Sequence, residues 1–240
     1  MKKISLLFPL LLLLLLNVPF SFAGSKKFHA SYPPEKAENN SSRLNDKLAY
    51  DSLSLQMKGL SIEAFHYAIT GFEELIDKGL VKNDSLLTIV DLSQASSHKR
   101  LYVVDIKNYQ LLFNSLVAHG RNSGLAMANR FSNENQSYMS SPGFYTTGTT
   151  YEGHNGYSLK LDGLEKGIND RAQERAIVIH GAPYVSEEVV KMQGYSGRSQ
   201  GCPAVPVTLA RPLINTIRNG SCVFVYHPSY VRQSRILSNS

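Results

Sequence analysis

Arg175-Ala-Ile-Val-Ile-His-Gly181 and Gly197-Arg-Ser-Gln-Gly-Cys-Pro-Ala204 decide how this 240-residue chain is read. The first is a continuous apolar, β-branched run over 176–179 that reads as a buried strand ending on His180. The second is punctuated by Gly197 and Gly201 and reads as a loop. Eighteen residues lie between His180 and Ser199. A loop can expose a sulfur and aim several backbone N–H groups at one point, which a strand interior cannot easily do.

Working outward, the same texture repeats. Apolar or alternating runs at 86–92, 101–106, 111–118, 143–151, 157–161 and 222–226 join 176–179 as seven short strands, with Asn155-Gly156 as a hairpin turn between two of them. Short helices are expected at 187–192, capped by Ser186, and from Pro212 to Arg218. The fold class is therefore mainly β with α additions over residues 84–228. Upstream, Ser61, Glu63 and the spacing of Ile62, Phe65, Ile69, Phe72 and Ile76 predict a docking helix over 60–80. Residues 24–59, with Pro33-Pro34 and many Ser, Lys and Asn, read as an exposed N-terminal lead-in, partly helical from Leu44 to Met57. Residues 229–240 read as a C-terminal tail.

The start of the chain has a different logic. Lys2 and Lys3 precede an apolar run over 4–16, with seven leucines from Leu10, then Pro19 and Ser21-Phe22-Ala23. This pattern is a secretory signal peptide over 1–23, and the run is shorter than the ~20 residues of a membrane span. Gly24, not Cys, follows the cut, so no lipid anchor is expected. The mature form is expected to be exported, to periplasm, cell wall or outside the cell, with no integral membrane span. Cleavage lowers the net charge from +6 to +4. With no Lys/Arg cluster interleaved with aromatics, nucleic acid is excluded as a natural partner. At 42% hydrophobic and 18% charged, the chain is neither a disordered polymer nor a coiled coil.

An exported chain with two cysteines raises the question of a disulfide. Cys222 sits in a β-branched and aromatic run, where a free Cys acts as a small hydrophobe. Cys202 sits in the glycine loop. If it is free, a nucleophilic reading needs a histidine in reach, an orienting group and an oxyanion hole. His180 with the Gly181 carbonyl, and the N–H groups of Gln200, Gly201 and Cys202 on the turn that Gly201 permits, supply these parts. A Cys202–Cys222 bridge in a non-catalytic wall-binding module is the structural alternative. A zinc set drawing on His119, His154, His180 and Cys202 lacks any close ligand spacing.

The motif Ile179-His-Gly181 followed by Gly197-Arg-Ser-Gln-Gly-Cys-Pro-Ala204 resembles the signature of the YkuD-type L,D-transpeptidase catalytic domain, in its divergent murein L,D-transpeptidase branch. The resemblance extends through Val117-Ala-His-Gly-Arg-Asn-Ser-Gly124, Phe131-Ser-Asn133, Ser140-Ser-Pro-Gly-Phe-Tyr145 and Gly163-Leu-Glu165, and so covers most of residues 60–228. It implies a β-sandwich or barrel with short peripheral helices. It implies Cys202 as acylated nucleophile, His180 as base and the Gly181 carbonyl as orienter, with no metal or organic cofactor. It implies peptidoglycan stem peptides as substrates, 3–3 cross-links as product, and carbapenem-type β-lactams as covalent inhibitors. Water as acceptor makes the same site an L,D-carboxypeptidase or amidase. Gln200 replaces the main-branch histidine and cannot shuttle a proton, and Pro203-Ala204 replaces the usual hydrophobic-Asn pair. Arg198, Ser199, Tyr145, Arg121, Asn122 and His119 are candidate substrate contacts, each also readable as a turn or packing residue.

Overall fold

Eight strands form one sheet in the computed structural model, which describes residues 40–238 and side chains from residue 46 onward. The leader expected over 1–23 and the lead-in up to residue 39 lie outside the described residues. The strands are β1 (Leu86–Asp91), β2 (Leu101–Asp105), β3 (Gln110–Ser115), β4 (Gly143–Gly153), β5 (Gly156–Gly163), β6 (Val178–Gly181), β7 (Ala204–Val205) and β8 (Cys222–Tyr226). Their order is β3-β2-β1-β8-β4-β5-β6-β7. The pairs β1–β8 and β6–β7 are parallel and the rest antiparallel. The eighth strand, β7, is two residues long and carries no readable period.

The two edges of this sheet approach each other. Past β3, the Ala118 N–H donates to the Ala204 carbonyl at 2.9 Å, and Gly120 forms a parallel bridge with Ser199. The sheet thereby nearly closes into a barrel, which covers edges that would otherwise present unpaired backbone groups.

Strand periodicity sorts the core into two layers. Leu87, Ile89, Phe144, Cys222, Phe224 and Tyr226 face one side. Val90, Tyr145, Leu159, Ile179, Val223 and Val225 face the other, where α4 (Val207–Ile217) contributes Leu213, Ile214 and Ile217. The expected helix over 187–192 is α3 (Glu187–Gln193), capped by Ser186, whereas the helix expected from Pro212 starts earlier, at Val207 directly after Pro206, so Pro212 lies inside it.

The first layer is roofed by α1 (Asn40–Ser52) and α2 (Ile62–Asp77). Ser61 caps α2, its hydroxyl accepting the Ala64 N–H at 3.1 Å. Phe65, Phe72 and Leu75 are buried beneath, each contributing about 2–3 kcal/mol of apolar burial. Gly71 lies inside this helix because a Cβ there would stand 2.0 Å from Phe144 Cζ. The helix docks too closely for any side chain.

Two expectations about the ends need correction. Ala49, Tyr50, Leu53 and Leu55 are core residues, so the end of the 24–59 stretch is not an exposed lead-in. Their apolar positions straddle a helix, a 3-10 turn at Gln56–Lys58 and a bend, and no single period reveals them. The C-terminal stretch is no tail either. It folds as α5 (Pro228–Val231) and α6 (Arg235–Ser238) with Tyr230 and Ile236 buried. The buried Glu165 carboxylate takes hydrogen bonds from Ser234 Oγ (2.7 Å), the Phe144 N–H (3.0 Å) and the Tyr230 hydroxyl. The described residues belong to one compact unit that is wider than 84–228. Among the described residues, no helix is long and apolar enough to cross a membrane.

Candidate active site

β6 ends at His180–Gly181, and its parallel pairing sets His180 opposite Ala204. Cys202 therefore lies two residues ahead of that register point, on the loop leading into β7. His180 and Cys202 line one cleft of about 860 Å³. The His180 ring is buried, with Nδ1 3.0 Å from the Gly181 carbonyl. A carbonyl only accepts, so Nδ1 carries the proton and Nε2 keeps its lone pair. Burial lowers the pKa of the ring below its ordinary value, while the Gly181 carbonyl partly offsets this. The neutral, basic form is the resting one.

Cys202 is free and partly exposed. Its Sγ lies 3.6 Å from the Ala176 carbonyl, and no hydrogen bond joins it to the imidazole among the described residues. Burial pushes the thiol up, and the Val178 backbone N–H and the Arg175 charge pull it back. The resting pair is thus a neutral thiol and a neutral imidazole in one cleft.

Backbone geometry explains the loop sequence. Gly201 has φ +129°, and a Cβ there would meet the Met139 carbonyl at 2.8 Å, so only glycine fits. Ser199 Oγ donates to the Cys202 carbonyl (2.6 Å) and accepts the Gly201 N–H (3.0 Å). Ser140 Oγ donates to the Gly201 carbonyl (3.2 Å). These bonds correct two expectations. Ser199 is a turn-forming residue whose hydroxyl is spent within the loop. The Gly201 N–H is also committed, which leaves the N–H groups of Gln200 and Cys202, neither with a protein acceptor among the described residues. Of the three N–H groups expected to form an oxyanion hole, two are left uncommitted.

Three more candidates lie away from the cleft. His119 is fully buried: Nδ1 accepts from Arg100 Nη2 at 2.7 Å and Nε2 faces the Gly124 carbonyl at 3.3 Å. Burial and the Arg100 charge push its pKa down to about 4. Tyr145 is a core residue whose hydroxyl donates to the Ser141 carbonyl at 2.8 Å. Asn122 ties two loops together through the Ser137 carbonyl, 2.8 Å from Nδ2. Arg121 and Arg198 do line the cleft. The disulfide alternative fails because Cys222 packs in the layer under α1 and α2 while Cys202 packs against the opposite layer. Among the described residues no group of three or more His, Cys, Asp or Glu side chains could hold a metal ion.

The sequence reading missed two cleft residues. Arg175 Nη1 donates to the Ser132 carbonyl (2.8 Å) and to Ser141 Oγ, and Nη2 to the Met139 carbonyl (2.6 Å) and Ser137 Oγ (3.2 Å). It holds the 132–141 wall of the cleft and places a half-buried cation beside the sulfur. A lone arginine opening an apolar strand was the available signal. Tyr184 also lines the cleft, its pKa pushed up to about 12 by burial and the nearby Cys202. Nothing in its local sequence marks it.

A family model of the L,D-transpeptidase catalytic domain matches residues 56–226. Among solved structures, the chain is similar to an L,D-transpeptidase from Mycobacterium smegmatis at 13% identity, covering 60% of this chain and 59% of that one, with a TM-score of 0.37. It is also similar to one from Stackebrandtia nassauensis at 17% identity, with coverages of 68% and 65% and a TM-score of 0.36. A third, from Mycobacterium tuberculosis H37Rv, stands at 15% identity, with coverages of 60% and 58% and a TM-score of 0.36. The chain spans less than two thirds of the length of these structures. No curated protein matches it.

Proposed function

The chain belongs to the L,D-transpeptidase catalytic domain family, and from that membership we propose that the mature protein is an exported cysteine acyl-transferase that remodels peptidoglycan. Export rests on the leader pattern over 1–23 and on Gly24 after the cut. The observation that carries the chemistry is the tautomer of His180: Nδ1 is fixed on the Gly181 carbonyl, and Nε2 has a free lone pair in the cleft that holds Cys202.

The Cys202 thiol leaves the Ala176 carbonyl and passes its proton to His180 Nε2. The sulfur then attacks the carbonyl of the third residue of a tetrapeptide stem. The tetrahedral oxyanion takes hydrogen bonds from the Gln200 and Cys202 N–H groups, and losing one such donor typically costs ~10²–10³-fold. Collapse breaks the amide bond, the imidazolium returns its proton to the departing D-alanine amine, and a thioester remains. An amine of a second stem attacks that thioester, His180 takes the proton, and a 3–3 cross-link forms as the thiol is released. Water in the amine's place gives the L,D-carboxypeptidase product. No step calls for a metal or organic cofactor.

Intact-mass measurement after incubation with a carbapenem tests the nucleophile. One adduct on wild type and none on Cys202→Ala is expected; an adduct that survives the substitution, or none on wild type, overturns the assignment. Muropeptide products then separate transfer from hydrolysis, since dimers require an amine acceptor.

A further inference from the structure

The cleft that holds Cys202 is lined by three guanidinium groups, those of Arg121, Arg175 and Arg198, and by one carboxylate, Glu174. Glu174 is occupied, since Arg171 Nε reaches it at 2.9 Å and Asn135 also bonds to it. Arg175 is occupied by its four acceptors on the 132–141 wall. Arg121 and Arg198 differ. Both are exposed, and among the described residues neither has a carboxylate partner.

Both are nonetheless held in place. The Arg121 guanidinium lies 4.0 Å over the Tyr138 ring, and its backbone N–H is fixed on the Ser199 carbonyl at 2.8 Å. Arg198 Nη1 donates to the Arg121 carbonyl (3.1 Å) and the Gly124 carbonyl (3.2 Å). Its Nε and Nη2 take no protein acceptor among the described residues. The two residues stand diagonally across the parallel bridge between Gly120 and Ser199, and both line the same cleft. Stacking on a ring and pinning by carbonyls both immobilise a long side chain before any ligand arrives, which removes part of the ordering cost of binding. An arginine held by one edge still presents donors suited to a planar carboxylate.

We propose that Arg121 and Arg198 form a carboxylate-recognition subsite that reads a free carboxylate on the acyl donor. This rests on the reading of Cys202 and His180 as an acyl-transfer pair. Two carboxylates share that chemistry: the C-terminal carboxylate of the leaving residue and a side-chain carboxylate on the residue whose carbonyl is attacked. In either case the subsite acts on the donor and positions it against the sulfur, and an amidated or esterified stem is a poorer donor.

Calorimetric binding to the full chain carrying Cys202→Ala, together with turnover by the wild-type chain, tests this. The probes are synthetic tetrapeptides ending in D-alanine, as free acid or carboxamide, with either lysine or diaminopimelate at the third position. Neutralising the recognised carboxylate is expected to weaken binding about 10–100-fold, and the peptide pair that shows this loss identifies the source. Arg198→Gln brings the charged peptide to the level of its neutral counterpart while leaving the neutral one unchanged, which also reports that the cleft is folded. Arg121→Gln does the same to a smaller degree. Variants that bind all four peptides as the unsubstituted arginines do, or that lose all four equally, overturn the subsite. Carboxylate-dependent binding without any wild-type turnover leaves the subsite standing and sinks the transferase reading. Turnover that ignores both carboxylates does the reverse, and no binding with no turnover sinks both.

Discussion

Two histidines stand in nearly the same local sequence, Ala118-His119-Gly120 and Ile179-His180-Gly181, and the fold surrounds them differently. Both follow an apolar run, both are buried, and both titrate below the ordinary range. The difference lies in how many ring nitrogens are taken. His119 has both occupied, by Arg100 and by the Gly124 carbonyl. His180 has one occupied, by the Gly181 carbonyl, and the other left for the cleft. A fully satisfied imidazole is a structural bracket; one with a single free lone pair in a cleft beside a thiol can serve as a base.

Exchanging the two rings for inert side chains gives the largest separation. His180→Ala is expected to lower acyl transfer by ~10²–10⁴-fold, the usual worth of a positioned base, with little change in the unfolding midpoint. His119→Ala reverses this, because it removes one acceptor from the fully buried Arg100 guanidinium, which keeps only the Val117 and Gln94 carbonyls. Losing one hydrogen bond to a buried charge costs about 1.5–3 kcal/mol. Denaturant unfolding and transfer rate per folded molecule check both arms. If His119→Ala cuts the rate as deeply as His180→Ala at full stability, the distinction collapses.

Acid sharpens the same contrast at a lower magnitude. The His119 pKa is about 4 when folded and near 6.5 when unfolded, so the unfolded chain takes up the proton first. The stability linked to this ring is fully present above about pH 6.5 and drains as the pH falls toward 4, by about 3 kcal/mol at most. His180 acts in the same direction. Wild type measured against His119→Gln between pH 7 and 4 should converge in stability; parallel curves would mean the ring is not held neutral.

Much of this was legible in the chain and some was not, for identifiable reasons. Strands β1, β2, β5, β6 and β8 are continuous or alternating runs, so periodicity found them. That His180 and the Cys202 loop belong together was legible through the ordered His-Gly … Ser-Gln-Gly-Cys match to a family signature, and the structure brings both into one cleft. Residues 49–59 and the C-terminal helices escaped because their apolar positions are scattered across turns and gain meaning only against α2 and Glu165. Tyr145, His119 and Asn122 looked like cleft residues because they stand next to glycine and serine turns. Which way a side chain points at such a turn depends on the partner strand, and local spacing does not record that.

Arg175 gives the smallest effect and the finest test, because it touches the sulfur's environment without being the proposed nucleophile or base. Its charge is one of the influences that pull the Cys202 thiol down against burial, alongside the Val178 N–H, and Cys202 in turn favours the charged guanidinium. Arg175→Met should therefore move the midpoint of Cys202 alkylation by iodoacetamide to higher pH. Arg175→Lys keeps a cation there but cannot span Ser132, Ser137, Met139 and Ser141 at once. It should restore the alkylation midpoint while leaving the 132–141 segment more open to hydrogen exchange. If lysine instead leaves the midpoint as high as methionine does, the arginine acts only by holding the loop, and the thiol is tuned by burial and backbone donors alone.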